Sequence, residues 1–121
     1  MDKKTPVIED IDDSEFKKTL FKLYKINKPP EILNFIDNNK FLKSLLVEAV
    51  HKIPAYFPDS SLYLDLFKDP ESATGDHIVL AIATKLGASE ALTKFDTLIR
   101  NWFSSVMHRA KGRLSLDVEF E

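Results

Sequence analysis

The spacing of apolar residues divides the chain into a helical half and a strand-containing half. Between residues 14 and 53, apolar side chains recur every three or four positions, which is the period of an amphipathic helix. The pattern predicts three helices, at about 14–25, 30–37 and 40–53. Pro30 suits the first turn of the second helix, because proline lacks only a donor that would be unpaired there. Pro54 ends the third helix.

Beyond residue 60 the apolar period shortens to two, which indicates strands at 62–67, 77–86 and 113–121. The second segment is apolar on both faces, as in a strand that is covered on both sides. The first two segments are joined by residues 68–76 and predict an antiparallel hairpin with a long loop. The third strand follows a helix, so it should run parallel to the second. We expect it at an edge of the sheet, beside either the first or the second strand.

A long apolar stripe predicts the helix between the last two strands, which starts near Ser89 and ends at Gly112. The stripe comprises Ala91, Leu92, Phe95, Leu98, Ile99, Trp102, Phe103, Val106, Met107 and Ala110. The order of elements predicts an α+β fold, in which N-terminal helices precede a β-hairpin, a long helix and a final strand. We expect a small three-stranded mixed sheet packed on helices within one domain at 13–121. Residues 1–12 are predicted to be a flexible acidic tail.

The amino-acid composition argues against several classes of function. The 121 residues contain no cysteine, which excludes disulfides, thiolate nucleophiles and cysteine-ligated metals from this chain. The formal charge of −2 gives no overall basic field for nucleic acid. The longest apolar run, 78–83, is too short to span a membrane, and the polar N-terminus does not resemble a signal peptide. We therefore expect a cytoplasmic protein without a membrane partner.

The predicted hairpin loop carries the first candidate site. Asp65, Asp69, Glu71, Asp76 and His77 lie within thirteen positions of one another. Carboxylates and an imidazole could hold a divalent metal or divide acid and base roles. However, the spacing matches no metal-binding motif, and acidic residues are also common because they favour turns.

Basic residues form the second candidate site. Arg100, His108, Arg109, Lys111 and Arg113 cluster at the end of the long helix. A second group follows the first helix and comprises Lys17, Lys18, Lys22 and Lys25. Either group could contact phosphate, but a solvated helix face is the better explanation of both. The glycines are isolated from one another, so there is no phosphate-binding loop, and we expect no cofactor.

The third candidate is the sheet face turned away from the long helix. Alternation places Tyr63, Phe67, Val79, Ala81 and Ala83 on that face. Either the N-terminal helices or a second chain must cover these side chains. Acidic residues on the last strand, such as Asp117 and Glu119, would discourage edge-to-edge pairing.

Seven short segments stand out along the chain: FIDNNKFL at 35–42, LLVEA at 45–49, YFPD at 56–59, DPE at 69–71, SEAL at 89–92, FD at 95–96 and WF at 102–103. Together they resemble a family of short bacterial proteins, frequent in cyanobacteria, that has no established activity. The resemblance covers residues 30–121, and the N-terminal extension departs from it. It implies a stand-alone, single-domain cytoplasmic protein and assigns no functional residue.

The sequence therefore favours a small accessory or regulatory protein that binds a protein partner or a second copy of itself. This interpretation depends on the absence of catalytic motifs and on the surplus of apolar sheet surface. One alternative is a small enzyme or divalent-metal-binding protein that uses the loop from Asp69 to His77. The other alternative is a nucleic-acid-binding protein.

Overall fold

The computed structural model describes residues 13–68, 71 and 75–121, and it confirms the predicted α+β fold. The helices are α1 (Asp13–Leu23), α2 (Pro29–Asp37), α3 (Leu42–Lys52), α4 (Ala88–Leu98) and α5 (Ser104–Ala110). The strands are β1 (Lys25–Ile26), β2 (Ser61–Phe67), β3 (His77–Thr84) and β4 (Leu114–Phe120). A 3-10 turn, Ile53–Ala55, follows α3. The predicted acidic tail, residues 1–12, lies outside the described residues.

The strands form one mixed sheet in the order β1-β2-β3-β4. The predicted antiparallel hairpin of β2 and β3, the parallel direction of β4 relative to β3 and the edge position of β4 are confirmed. The sequence left open which strand β4 lies beside, and in the structure it pairs with β3. The predicted number of three strands is wrong, because β1 pairs in parallel with β2 at Tyr63 and Leu64. The N–H of Asn27 extends this pairing by donating to the carbonyl of Leu64, at 2.9 Å. A strand of two residues has no period, so the sequence pattern could not reveal it.

The described helices contribute to one hydrophobic core on one face of the sheet. The alternate strand residues Leu64, Ile78, Leu80, Ile82 and Leu114 belong to this cluster. The helices add large fully buried side chains to it: Phe16 and Leu20 from α1, Ile32 and Ile36 from α2, and Leu42, Leu45 and Leu46 from α3. The N-terminal helices therefore lie on the same face as the long helix, and none of the described helices covers the opposite face.

Tyr24 places a hydroxyl group in this hydrophobic core. Its hydroxyl donates to the carbonyl of Leu46 at 2.7 Å, which ties the end of α1 to α3. The ring is 4 % exposed, and burial raises the pKa of the Tyr24 hydroxyl well above its ordinary value. The buried hydrogen bond therefore requires the neutral phenol.

The predicted long helix is interrupted by a π-helical segment, Ile99–Phe103, between α4 and α5. A π-helical turn contains an extra residue, so it rotates the following residues about the helix axis. Both Trp102 and Phe103 are buried in this segment. Leu92 and Met107 are 52 % and 53 % exposed, so their predicted place in the core is wrong. Each lies next to the buried face of its helix, and a residue adjacent in sequence faces the core instead.

Candidate functional site

One face of the sheet is not covered by the described helices, and we call it the open face. Cross-strand register places on it Lys25 of β1, the odd-numbered residues 61–67 of β2, 77–83 of β3 and 115–119 of β4. The residues predicted for an interaction surface, Tyr63, Phe67, Val79, Ala81 and Ala83, therefore share this face. None of these five residues belongs to the hydrophobic core cluster.

The five predicted residues differ in how much of their surface a partner could reach. Phe67 is 50 % exposed, and Tyr63 and Val79 are half-buried. Ala81 and Ala83 are only 6 % and 3 % exposed, and each lies between cross-strand neighbours on β2 and β4. The accessible apolar area of the open face is therefore concentrated in two aromatic rings and one valine.

The open face is concave next to β1. A cleft of about 560 Å³ is lined by Lys25, Tyr63, Asp65, Phe67, Val79 and Ala81, among other residues. Tyr63 and Phe67 are four positions apart on β2, so their rings lie on either side of Asp65. This volume falls within the range of about 300–1,000 Å³ that is common for ligand pockets.

Two ring contacts fix the walls of the cleft. The ammonium of Lys25 lies 5.4 Å from the centre of the Tyr63 ring, within the range of a cation–π interaction. At the other end, the centres of the Phe67 and His77 rings are 5.1 Å apart. His77 is in turn oriented by Gly75, whose carbonyl lies 3.0 Å from its Nδ1.

Carboxylates are distributed across the open face. Asp65 lies in the cleft, and Asp117 and Glu119 follow on β4, where their registers oppose Ala81 and Ala83. All three are exposed. Among the described residues, these three carboxylates share the open face with one ammonium, that of Lys25, so this part of the face has a negative formal charge.

Two of these carboxylates also accept hydrogen bonds from backbone N–H groups at the sheet edges. Oδ1 of Asp65 accepts the N–H of Leu66 at 2.8 Å, and Oδ1 of Asp117 accepts the N–H of Val118 at 2.9 Å. Leu66 lies just beyond the end of β1, and Val118 lies on the outer strand β4. Because residues alternate in the direction of their backbone groups, both N–H groups point away from the paired strand β3. An added strand would have to compete with these bonds.

The residues predicted for a metal site do not form a cluster in the described part of the chain. Asp65 lies on the open face and Glu71 in the connecting loop, whereas Asp76 and His77 lie at the start of β3. Among residues 13–68, 71 and 75–121, no group of three or more Asp, Glu or His side chains is arranged to hold a metal ion. Asp69 lies outside the described residues, so the metal hypothesis stays a prediction.

The arginines predicted to contact phosphate are engaged within the protein. Arg100 forms an ion pair with Asp96 at 2.5 Å, and Arg109 forms one with Glu48 at 2.6 Å. Arg113 donates to a backbone carbonyl at 3.0 Å. Each guanidinium therefore has at least one donor bonded within the chain, and the nucleic-acid hypothesis stays a prediction.

Sequence reasoning did not recognise the polar residues of the open face as one group. Asp65 was assigned to the acidic loop, although the two-residue period of β2 places it between Tyr63 and Phe67. Lys25 was assigned to the first helix, and its true place on β1 has no signal in the local pattern. Asp117 and Glu119 were expected only to protect the edge.

No protein-family model, curated protein sequence or solved structure matches this chain at a significant level. The resemblance to short bacterial proteins therefore stays an expectation. Among the described residues, no helix is both long enough and apolar enough to cross a bilayer.

Proposed function

We propose that this protein is a small binding module that holds a protein partner on the open face of its sheet. The observation that carries the proposal is an apolar, concave sheet face on the side away from the described helices. Large exposed apolar surfaces rimmed by polar residues are typical of binding sites. The role that best accounts for such a face is accessory or regulatory binding.

The chemistry of the accessible residues supports this function. Tyrosine and other aromatic side chains contribute much of the binding energy at protein interfaces, because they bury a large area and lose little conformational freedom. Tyr63 and Phe67 occupy the walls of the cleft, and Val79 lies between them on the neighbouring strand. Their contacts with Lys25 and His77 restrict both rings before a partner arrives.

The edge geometry favours binding across the face over addition of a strand. An exposed edge binds another chain through its unpaired N–H and C=O groups. Asp65 and Asp117 already occupy one outward N–H on each side of the sheet. We therefore expect a partner to bury apolar area in the cleft rather than to pair with an edge where one outward N–H on each side is already bonded.

A pair of matched substitutions tests the proposal. Phe67 and Leu92 are equally exposed apolar residues, at 50 % and 52 %, but only Phe67 lies on the open face. The tagged wild-type protein and the Phe67→Ser and Leu92→Ser variants would be purified from cells that naturally make the protein. Bound proteins would be compared by quantitative mass spectrometry. Circular dichroism would confirm that both variants are folded.

We expect a partner that is retained by Leu92→Ser and lost by Phe67→Ser. The substitution changes an exposed side chain, so its effect on folding should be small, within about 0.5 kcal/mol. Partners that are unaffected by Phe67→Ser, or lost equally from both variants, would contradict a role for the open face.

A further inference from the structure

The open face carries carboxylates that are not paired within the described part of the chain. Asp65, Asp117 and Glu119 have no cation within ion-pair distance among the residues that the structure describes. On the helical side, by contrast, Asp96 and Glu48 are both paired with arginines. The acidic charge of the open face is therefore not balanced by the described part of the protein.

The lining of the cleft has the chemistry of a cation-binding site. The ammonium of Lys25 already rests on one side of Tyr63, so this ring takes part in a cation–π contact within the chain. Between Tyr63 and Phe67, the Asp65 carboxylate uses Oδ1 for the backbone of Leu66. Its second oxygen has no contact with a donor in the described residues. An incoming guanidinium or ammonium would meet this oxygen and two aromatic rings.

The same charges disfavour a second copy of the chain as the occupant. Two open faces packed against each other would bring six carboxylates together with two lysines, and like charges at an interface weaken association. A basic partner has the opposite effect, because it neutralises the carboxylates while its apolar side chains fill the cleft.

We propose that the open face binds a basic segment of another protein, in which arginine or lysine alternates with apolar residues. The apolar side chains pack on Val79 and on the rings of Tyr63 and Phe67. A cationic side chain lies between the two rings and pairs with Asp65, and further cations pair with Asp117 and Glu119 on β4. This inference rests on the proposed function and specifies the charge of the partner.

The tripeptide acetyl-Leu-Arg-Leu-amide is a direct probe of the cleft. It would be titrated into the full ¹⁵N-labelled chain, with backbone amide shifts as the readout. The matched control replaces arginine by citrulline, which has nearly the same shape but no charge. We expect saturable shifts at residues 63–67 and 79–81, and weaker binding of the citrulline peptide.

A charge-matched pair of variants separates a local contact from the effect of net charge. Asp65→Asn and the exposed turn variant Asp59→Asn change the net charge equally. Asp65→Asn should weaken peptide binding about threefold, equivalent to about 0.7 kcal/mol, and Asp59→Asn should leave it nearly unchanged. Binding should also weaken when salt rises from about 0.1 M to 1 M, because the Debye length falls from about 10 Å to 3 Å.

Three results would overturn the inference: no shifts on the open face, equal binding of both peptides, or equal loss in both variants. A dimer that dissociates upon Phe67→Ser would also overturn it, because a second copy would then occupy the face. Light scattering tests this outcome, and we expect a monomer.

The two proposals can fail separately. A Phe67-dependent partner that is insensitive to salt and to Asp65→Asn would preserve the proposed function and reject a basic partner. If no Phe67-dependent partner exists, the proposed function fails even where the tripeptide binds to the cleft.

Discussion

The packing of Trp102 makes a quantitative prediction about the helix layer. Trp102 is 5 % exposed, its ring centre lies 5.7 Å from that of Phe103, and its Nε1 lies 3.4 Å from Oε1 of Glu48. Replacing it with alanine removes nearly all of these contacts and leaves a cavity between α3 and the π-helical segment. Such substitutions cost about 3–5 kcal/mol, a large fraction of the 5–15 kcal/mol that is typical of a whole domain.

The conservative variant Trp102→Phe separates packing from hydrogen bonding. Phenylalanine keeps most of the buried area but cannot donate to Glu48. Glu48 would remain paired with Arg109, so its carboxylate would not be left without a partner. We therefore expect a loss of about 1–2 kcal/mol for Trp102→Phe, below the cost of Trp102→Ala. Leu92→Ala is the exposed control, with an expected change within about 0.5 kcal/mol.

Urea unfolding followed by far-ultraviolet circular dichroism measures these differences, because the signal does not depend on the tryptophan itself. The slope of the free energy against urea should be similar in all variants if only the stability changes. A loss below about 1 kcal/mol for Trp102→Ala would refute the assigned packing. Equal losses for Trp102→Ala and Trp102→Phe would show that the N–H group, and not the buried area, determines the effect.

Three further predictions concern other parts of the fold. A double-mutant cycle with Glu48→Gln and Arg109→Gln, measured by urea unfolding, should give a coupling energy of about 1 kcal/mol, because the pair is only partly buried. A coupling energy near zero would contradict a stabilising ion pair. Lys28→Gly should raise the free energy of unfolding by up to about 1 kcal/mol, because Lys28 has a left-handed backbone, with φ 52°, that glycine adopts without strain. A lower urea midpoint for the variant would contradict strain at Lys28. Burial raises the pKa of Tyr24, so the folded protein keeps the phenol proton at a pH where the unfolded chain ionises. The free energy of unfolding should therefore be independent of this group below about pH 10 and should fall by about 1.4 kcal/mol per pH unit above it. Tyr24→Phe should cost about 1 kcal/mol at neutral pH through the lost bond to Leu46 and should lose this alkaline component; identical pH profiles for the two proteins would be the contrary result.

Periodicity in the sequence was sufficient to predict the main layers of the fold. The three-and-four spacing of apolar residues located the helices that carry Leu45 and Leu98, and alternation located the strands that carry Leu64 and Leu80. These signals are strong because each element has one buried face. The parallel direction of β4 relative to β3 followed from the helix between them, whereas the sequence left open which strand β4 pairs with.

Features that depend on tertiary contacts were not predictable in the same way. Strand β1 exists because Lys25–Ile26 meets β2, which is more than thirty positions away in sequence. The π-helical segment leaves the apolar stripe almost unchanged, so Leu92 and Met107 looked as suitable for the core as their neighbours. Local patterns record which residues prefer burial and do not record which of several adjacent candidates is buried.

The open face contains residues that the sequence pattern grouped correctly and residues that it did not. Its apolar members were predicted together, because alternation assigns Tyr63 and Phe67 to one side of β2. Its acidic character was not predicted, because Asp65 was grouped with its sequence neighbours in the loop and Glu119 was considered only as an edge residue. Register across the sheet brings these residues together, and register becomes visible only when the strand order is known.

The position of the single tryptophan also gives the protein an internal optical reporter. Trp102 is buried in the helix layer, on the side of the sheet opposite to the cleft. Its fluorescence should therefore follow the integrity of that layer, with emission shifting to longer wavelength when water reaches the indole. A ligand in the cleft would leave the emission nearly constant. Unchanged tryptophan emission during a titration would then show that binding occurs without loosening the core.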